Sequence, residues 1–92
     1  MKNSAMIKSA QTLKILGNAK RLEILYRIAE TELNVGQLER AVKLSQSALS
    51  QHLAVLRKAG IVNTRRSAQT IFYSLNDSNI AKILLLLNDL YE

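Results

Sequence analysis

The sequence predicts a mainly helical domain, with a β-hairpin set between its last two helices, in the order ααααββα. Three observations predict it. Apolar residues recur at helical spacing through most of the 92 residues. After Gly60 the period switches to two, in runs rich in β-branched and aromatic side chains. No proline interrupts the chain, and Gly17, Gly36 and Gly60 are its main punctuation. A chain of this length makes one domain, here residues 1–92, with a modest core that a second copy would help to stabilise.

The first helix is expected over about 5–16, with Met6, Ala10, Leu13 and Leu16 on one face and Gly17 at its end. Asn18 caps a second helix that runs to about Glu30, with Leu22, Leu25, Ile28 and Ala29 inward. Asn34, with Gln37 three residues on, reads as a capping box that opens a short third helix, Val35–Val42. Lys43-Leu44-Ser45 is a tight link. Ser45 caps a fourth helix, Gln46–Ala59, which Gly60 stops in the left-handed conformation. Ile61–Arg66 and Thr70–Leu75 read as two strands. The loop Ser67-Ala68-Gln69 between them lacks the usual glycine or asparagine. A last helix covers about 78–91.

Charge is distributed unevenly along this plan. From Arg40 to Asn76 there are six basic side chains and no acid, while the rest of the chain holds seven of each. The formal net charge of +6 therefore sits in one folded segment. A surface of one sign beside an ordered helix suits a polyanion, and nucleic acid is the commonest. The alternative is a solvated basic face with no partner.

Composition excludes much else. The chain has no cysteine, hence no disulfide, thiolate metal site or thiol nucleophile. With a single histidine, no paired carboxylates and no phosphate-binding glycine loop, an enzyme is not expected, nor a cofactor. The N-terminus lacks the pattern of a signal peptide. The longest apolar run, Ile83–Leu87, falls far short of the roughly 20 residues that span a bilayer. A cytoplasmic protein with no membrane partner is expected.

The fourth helix carries the functional reading. Leu49, Leu53 and Leu56, with Ala48, Val55 and Ala59, form its inward stripe. The opposite face is Ser47, Ser50, Gln51, Ala54 and Lys58, with Gln46 at the entrance. Ordinary exposed faces favour long charged side chains. This face is short and neutral, and carries charge only at its end. Such a helix can sit deep in a major groove about 12 Å wide, where Ser and Gln exchange hydrogen bonds with base edges. With the third helix it makes a helix-turn-helix over about 35–59. The hairpin over about 61–75 then becomes a wing, with Arg65 and Arg66 before its loop and Gln69 after it. Wing arginines mainly give affinity and positioning. The competing readings are a Ser/Gln surface that faces protein and loop arginines that are merely solvated.

The run from Leu44 to Val62, LSQSALSQHLAVLRKAGIV, resembles the recognition-helix signature of the ArsR/SmtB family of winged-helix repressors. Asn18–Leu25, NAKRLEIL, resembles the opening of that family's second helix. Arg65–Leu75, RRSAQTIFYSL, resembles its wing, especially in the HlyU, BigR and NolR subgroup. The likeness covers about residues 13–75. It implies a homodimer that binds an imperfect palindrome in double-stranded DNA and silences a promoter or clears another silencer from it. It also implies that Gln46, Ser47, Ser50, Gln51 and His52 lie at or near DNA, with the wing flanking them. Arg21 either touches a backbone phosphate or pairs with an acid such as Glu23 or Glu39.

The family's sensor chemistry is missing. Its third-helix thiolate site corresponds to Glu32–Leu38, where Asn34 and Gly36 offer no soft ligand. Asp77-Ser78-Asn79 keeps an acid of a last-helix metal site but no imidazole. The subgroup's two redox cysteines correspond to Tyr26 and Glu92. No metal or thiol sensing is therefore expected. Control falls to protein concentration, a small molecule or another protein.

The last helix is apolar on much of its circumference. Ile80, Ile83, Leu84, Leu87 and Tyr91 fill one face, and Leu85, Leu86 and Leu90 spread beyond it. Such a helix asks for more than one small core. A dimer interface is expected from Met6 and Leu13 of the first helix and Ile83, Leu86, Leu87, Leu90 and Tyr91 of the last. Two other functions compete with a sequence-specific regulator. A sequence-neutral nucleic-acid binder would need a stacking platform, which Tyr26, Phe72, Tyr73 and Tyr91 do not make. A protein-interaction module leaves the acid-free stretch unexplained.

Overall fold

The element order is α1 (Asn3–Leu16), α2 (Ala19–Glu30), β1 (Leu33–Asn34), α3 (Val35–Val42), α4 (Gln46–Lys58), β2 (Val62–Ser67), β3 (Thr70–Leu75) and α5 (Ser78–Tyr91). The computed structural model describes every residue from Met1 to Glu92. The architecture is mainly helical, a winged helix-turn-helix with a small antiparallel sheet.

Side-chain caps set the helix starts. Asn18 Oδ1 accepts from the Arg21 amide at 3.0 Å, and Ser45 Oγ accepts from the Ala48 amide at 3.2 Å. At α3 the capping box is complete. Asn34 Oδ1 accepts from the Gln37 amide and Gln37 Oε1 from the Asn34 amide, both at 2.9 Å. Gly60 takes φ 74, the left-handed conformation that ends a helix without steric cost. Ala59 is the cap of α4 rather than its last residue, and α1 starts at Asn3 rather than Ala5.

The strand β1 has no signal in the sequence. Its two residues pair with β3, Leu33 opposite Tyr73 and Asn34 opposite Phe72. The sheet order is β1-β3-β2, and the chain runs ααβααββα rather than ααααββα. The hairpin is also tighter than expected. Ser67 pairs with Thr70, so the loop is Ala68-Gln69 alone. Ala68 takes φ 56, a conformation usually given to glycine or asparagine at the start of a two-residue hairpin loop.

The core is wholly apolar apart from the Tyr73 hydroxyl. Ile24, Leu25 and Ile28 of α2 meet Leu38 and Val42 of α3, Leu49, Leu53 and Leu56 of α4, and Ile80 and Leu84 of α5. Ala29 was expected inside but is exposed, and Ile24 takes its place. The buried face of α2 is turned toward the helix-turn-helix. Its Leu22 edge is only half-buried and borders a groove beside Leu87 and Tyr91 of α5. Tyr26 bridges that seam, its hydroxyl donating to the Leu84 carbonyl at 2.6 Å.

One helix barely joins the core. Only Leu16 of α1 is buried, whereas Met6 is 53% and Leu13 64% exposed. So α1 is anchored by its last turn and stands off the body of the domain.

Candidate nucleic-acid interface

Lys43 makes the turn between α3 and α4 with a left-handed φ of 53. Behind the turn, Lys20 Nζ donates to the Val42 carbonyl at 2.9 Å, tying α2 to the end of α3. With Leu49, Leu53 and Leu56 driven into the core, α4 has only one way to face. Gln46, Ser47, Ser50, Gln51 and Ala54 are all exposed on its outer side. That face carries no charge until Arg57 and Lys58 in the last turn. The expected cluster of short polar side chains is therefore brought together. Lys58 stands apart from it, since twelve residues of helix separate Gln46 and Lys58 by about 18 Å.

His52 sits at the edge of this face and is half-buried. Arg21 Nε donates to its Nδ1 at 3.2 Å, and Arg21 Nη1 donates to the Ile15 carbonyl at 3.3 Å. Arg21 thus pairs with neither Glu23 nor Glu39. Lys20 holds Glu23 instead, at 3.1 Å. Because Nδ1 accepts, the imidazole is neutral and its proton lies on Nε2, free to donate to a phosphate. Partial burial lowers the His52 pKa from the usual 6.5, and the Arg21 charge lowers it further.

This depression has a sign that can be checked. As pH falls below 6.5, the unfolded chain takes up a proton that the folded chain resists. The stability that His52 contributes at neutral pH is thus lost on acidification. The wild-type urea midpoint is expected to fall between about pH 7.5 and about pH 5.5 by more than that of His52→Gln. Parallel curves for the two proteins would refute the lowered His52 pKa.

The wing differs from its expected form. Arg65 is engaged within the chain: its Nη2 donates to Glu32 Oε1 at 2.7 Å, and its Nε reaches both carboxylate oxygens at 3.1 Å. Its guanidinium also lies 4.6 Å from the centre of the Phe72 ring. The hydrogen bond from Arg65 pushes the Glu32 pKa below its usual value, and the same bond raises that of Arg65. Exposed ion pairs contribute little to stability. This one braces the base of the wing against β1 and competes with any phosphate for Arg65. Arg66 and Gln69 are exposed farther along the hairpin, and Arg66 has no carboxylate partner. Sequence reasoning missed Glu32 because it lies 33 positions from Arg65 and meets it only through the unforeseen strand.

Glu32→Gln weakens that competition and removes a negative charge beside the wing. Affinity for every duplex is expected to rise a few-fold, with the salt dependence steeper by up to about one logarithmic unit per protomer. Fluorescence anisotropy over a salt series measures both. An unchanged affinity and slope would mean that Glu32 does not withhold Arg65 from DNA.

The side chains expected to pair two copies lie on another part of the surface. Met6, Leu13, Leu86, Leu90 and Tyr91 are exposed, and Ile83 and Leu87 are half-buried. Tyr91 was expected on the inward face of α5 as well, but at 82% exposure it extends past the core that holds Ile80 and Leu84. No helix is long and apolar enough to cross a membrane.

Comparison with known proteins agrees with this fold. Residues 18–64 match the family described as "Bacterial regulatory protein, arsR family". The chain is 50% identical over 90 residues to the transcriptional activator HlyU of Vibrio cholerae serotype O1, covering 98% of this chain and 82% of that protein. It superimposes on the structure of HlyU from Vibrio cholerae N16961 with a TM-score of 0.90 and 46% identity, over 99% of this chain and 98% of that one. On the transcriptional repressor BigR from Xylella fastidiosa the TM-score is 0.88 at 36% identity, over 100% of this chain and 98% of that one.

Proposed function

The chain belongs to the arsR family of bacterial regulatory proteins, and we propose that it acts as a homodimer that reads a two-fold symmetric site in double-stranded DNA. The observation that carries this reading is the outer face of α4. Gln46, Ser47, Ser50, Gln51 and Ala54 form an exposed strip with no charge and no side chain longer than Gln, within a stretch free of acids. Short neutral side chains let the helix enter the major groove, where Gln51 meets an adenine edge and the serines accept or donate as the base requires. His52 donates from Nε2 to a flanking phosphate while Arg21 fixes its ring. Arg66 and Gln69, together with Arg65 when Glu32 releases it, follow the backbone or the adjacent minor groove. Lys58 supplies a more distant phosphate contact.

Pairing through Met6, Leu13, Ile83, Leu86, Leu87, Leu90 and Tyr91 makes the interface isologous. The two reading helices then lie about 34 Å apart, one turn of duplex. Function here is binding, with neither catalysis nor a cofactor, and it is exerted on chromosomal DNA in the cytoplasm. The protein silences a promoter when its site overlaps that of the polymerase. It relieves silencing when the site overlaps that of another repressor. One relative is named an activator and another a repressor, and on this reading the position of the site decides the outcome for this chain.

Selection of sites from random duplex is the test. A two-fold sequence with half-sites one turn apart is expected, and it should outcompete scrambled duplex by at least 10³-fold at physiological salt. Recovery of no consensus, with equal competition by any duplex, would replace this reading with sequence-neutral binding.

A further inference from the structure

Because α1 is anchored only by its last turn, it leaves a gap between itself, the end of α4 and the start of α5. The gap is a cavity of about 480 Å³. Ile15, Val55, Ile61 and Ile80 form its apolar floor, and Lys8, Lys14 and Lys58 stand around it, with Asp77 the sole acid. Asp77 is already occupied in part, its Oδ1 accepting from the Asn79 amide at 2.8 Å. The only ion pairs in the chain are Lys20–Glu23 and Arg65–Glu32, so none of the three lysines is paired. An adjoining cavity of about 370 Å³ shares Lys8, Thr12, Asp77 and Ile80 and extends toward Leu13 and Ile83.

We propose that this trough binds a small amphipathic organic anion, a carboxylate with an apolar tail, whose tail lies on the isoleucines and whose head meets the lysines. Charge complementarity selects the head, and the floor selects the tail. The volume is within the range of small-molecule sites. None of the residues lining the larger cavity belongs to the proposed pairing set. On α1, Lys8, Gln11, Thr12 and Ile15 share one face, while Met6 and Leu13 lie roughly 160° around the helix from its centre. The site also touches both working parts of the molecule. Lys58 and Val55 belong to the reading helix, and the trough runs on to Leu13 and Ile83 of the pairing face. A bound anion neutralises Lys58 and wedges α1 away from α4. Operator affinity falls as a result, a coupling that rests on the function proposed above.

Decanoate is the probe, with decanol and acetate as controls for tail and head alone. Without DNA, decanoate is expected to bind saturably, shifting the amide resonances of Ile15, Ala59, Ile61 and Ile80 and raising the thermal midpoint by a few degrees. The paired substitution Lys8→Gln and Lys14→Gln changes two exposed residues outside the DNA-binding set. It should leave the fold and operator affinity intact and weaken decanoate at least ten-fold. Three results would overturn the site: no binding, equal binding of decanol, or resonance shifts confined to Leu85–Leu90. With operator present, saturating decanoate should lower affinity about ten-fold. Binding with no change in operator affinity would remove the coupling and keep the site. Failure to find any operator would leave the DNA-free result unaffected.

Discussion

Replacing Leu86 and Leu90 together by glutamate is expected to give a folded monomer whose operator affinity is lower by roughly 10²–10⁴-fold. Both side chains are more than half exposed in the single chain, Leu86 at 55% and Leu90 at 61%. Neither helps to hold the domain together, so the helical circular dichroism should persist. Around α5, Ile83, Leu86 and Leu90 lie within one narrow sector, and α1 presents Met6 at 53% and Leu13 at 64% exposure. Each leucine that pairing buries fully contributes about 1.5–3 kcal/mol. A carboxylate at the same place must instead be desolvated without a partner, and the pairing is lost. The effect on DNA is larger than any one contact because two half-sites bound by one dimer share a single loss of translational freedom. Once the chains separate, each half-site must be bound alone. Sedimentation velocity at micromolar concentration reads the first effect and anisotropy on the full operator the second. A dimer that survives both substitutions would assign the pairing to another surface.

The same exposure separates what the sequence disclosed from what it hid. Helices were legible wherever a buried stripe repeated every three or four residues, as at Leu49, Leu53 and Leu56. Their ends were legible wherever a side chain could replace a missing backbone partner, as with Asn34 and Gln37. Periodicity says which residues share a face and nothing about what covers it. For that reason the face of α1 was foreseen, while its isolation from the core was not. Ala29 and Ile24 lie near opposite edges of the apolar arc of α2, and only the placement of the helix-turn-helix decides between them. The strand β1 is too short to carry any pattern and exists because β3 offers it a ladder. Ala68 occupies a turn position with the wrong residue type, so the loop was read one residue too long.

The candidate site divides along the same line. Its chemistry was readable because each residue of the proposed reading face follows from α4 alone, once the inward stripe is known. The partners were not, because both are long-range. Arg21 meets His52 31 positions away, and Arg65 meets Glu32 33 positions away. Both contacts convert a residue foreseen as a free DNA ligand into one held by the protein itself. Pre-positioned groups lose less freedom on binding. A rigid His52 beside the groove face therefore fits a protein that selects a sequence as well as a charge.

Gln51→Ala tests that selection at its centre. Gln51 is exposed near the middle of the groove face, and nothing in the chain engages its amide. A bidentate amide contact with adenine discriminates against the wrong base by about 1–3 kcal/mol, and a two-fold site contains it twice. The preference for operator over random duplex is expected to drop by roughly 10²–10³-fold, with base preference flattened at one position in each half-site. Affinity for random duplex should hardly change, because no phosphate contact is lost. Arg66→Ala should do the reverse. It weakens binding to all sequences alike and lowers the salt slope by about one per protomer, leaving the ratio of operator to random duplex nearly constant. Competition titrations on both variants at several salt concentrations separate these patterns. If Gln51→Ala lowered affinity for every duplex equally, α4 would be lying along the backbone, and the short polar face would not be reading bases.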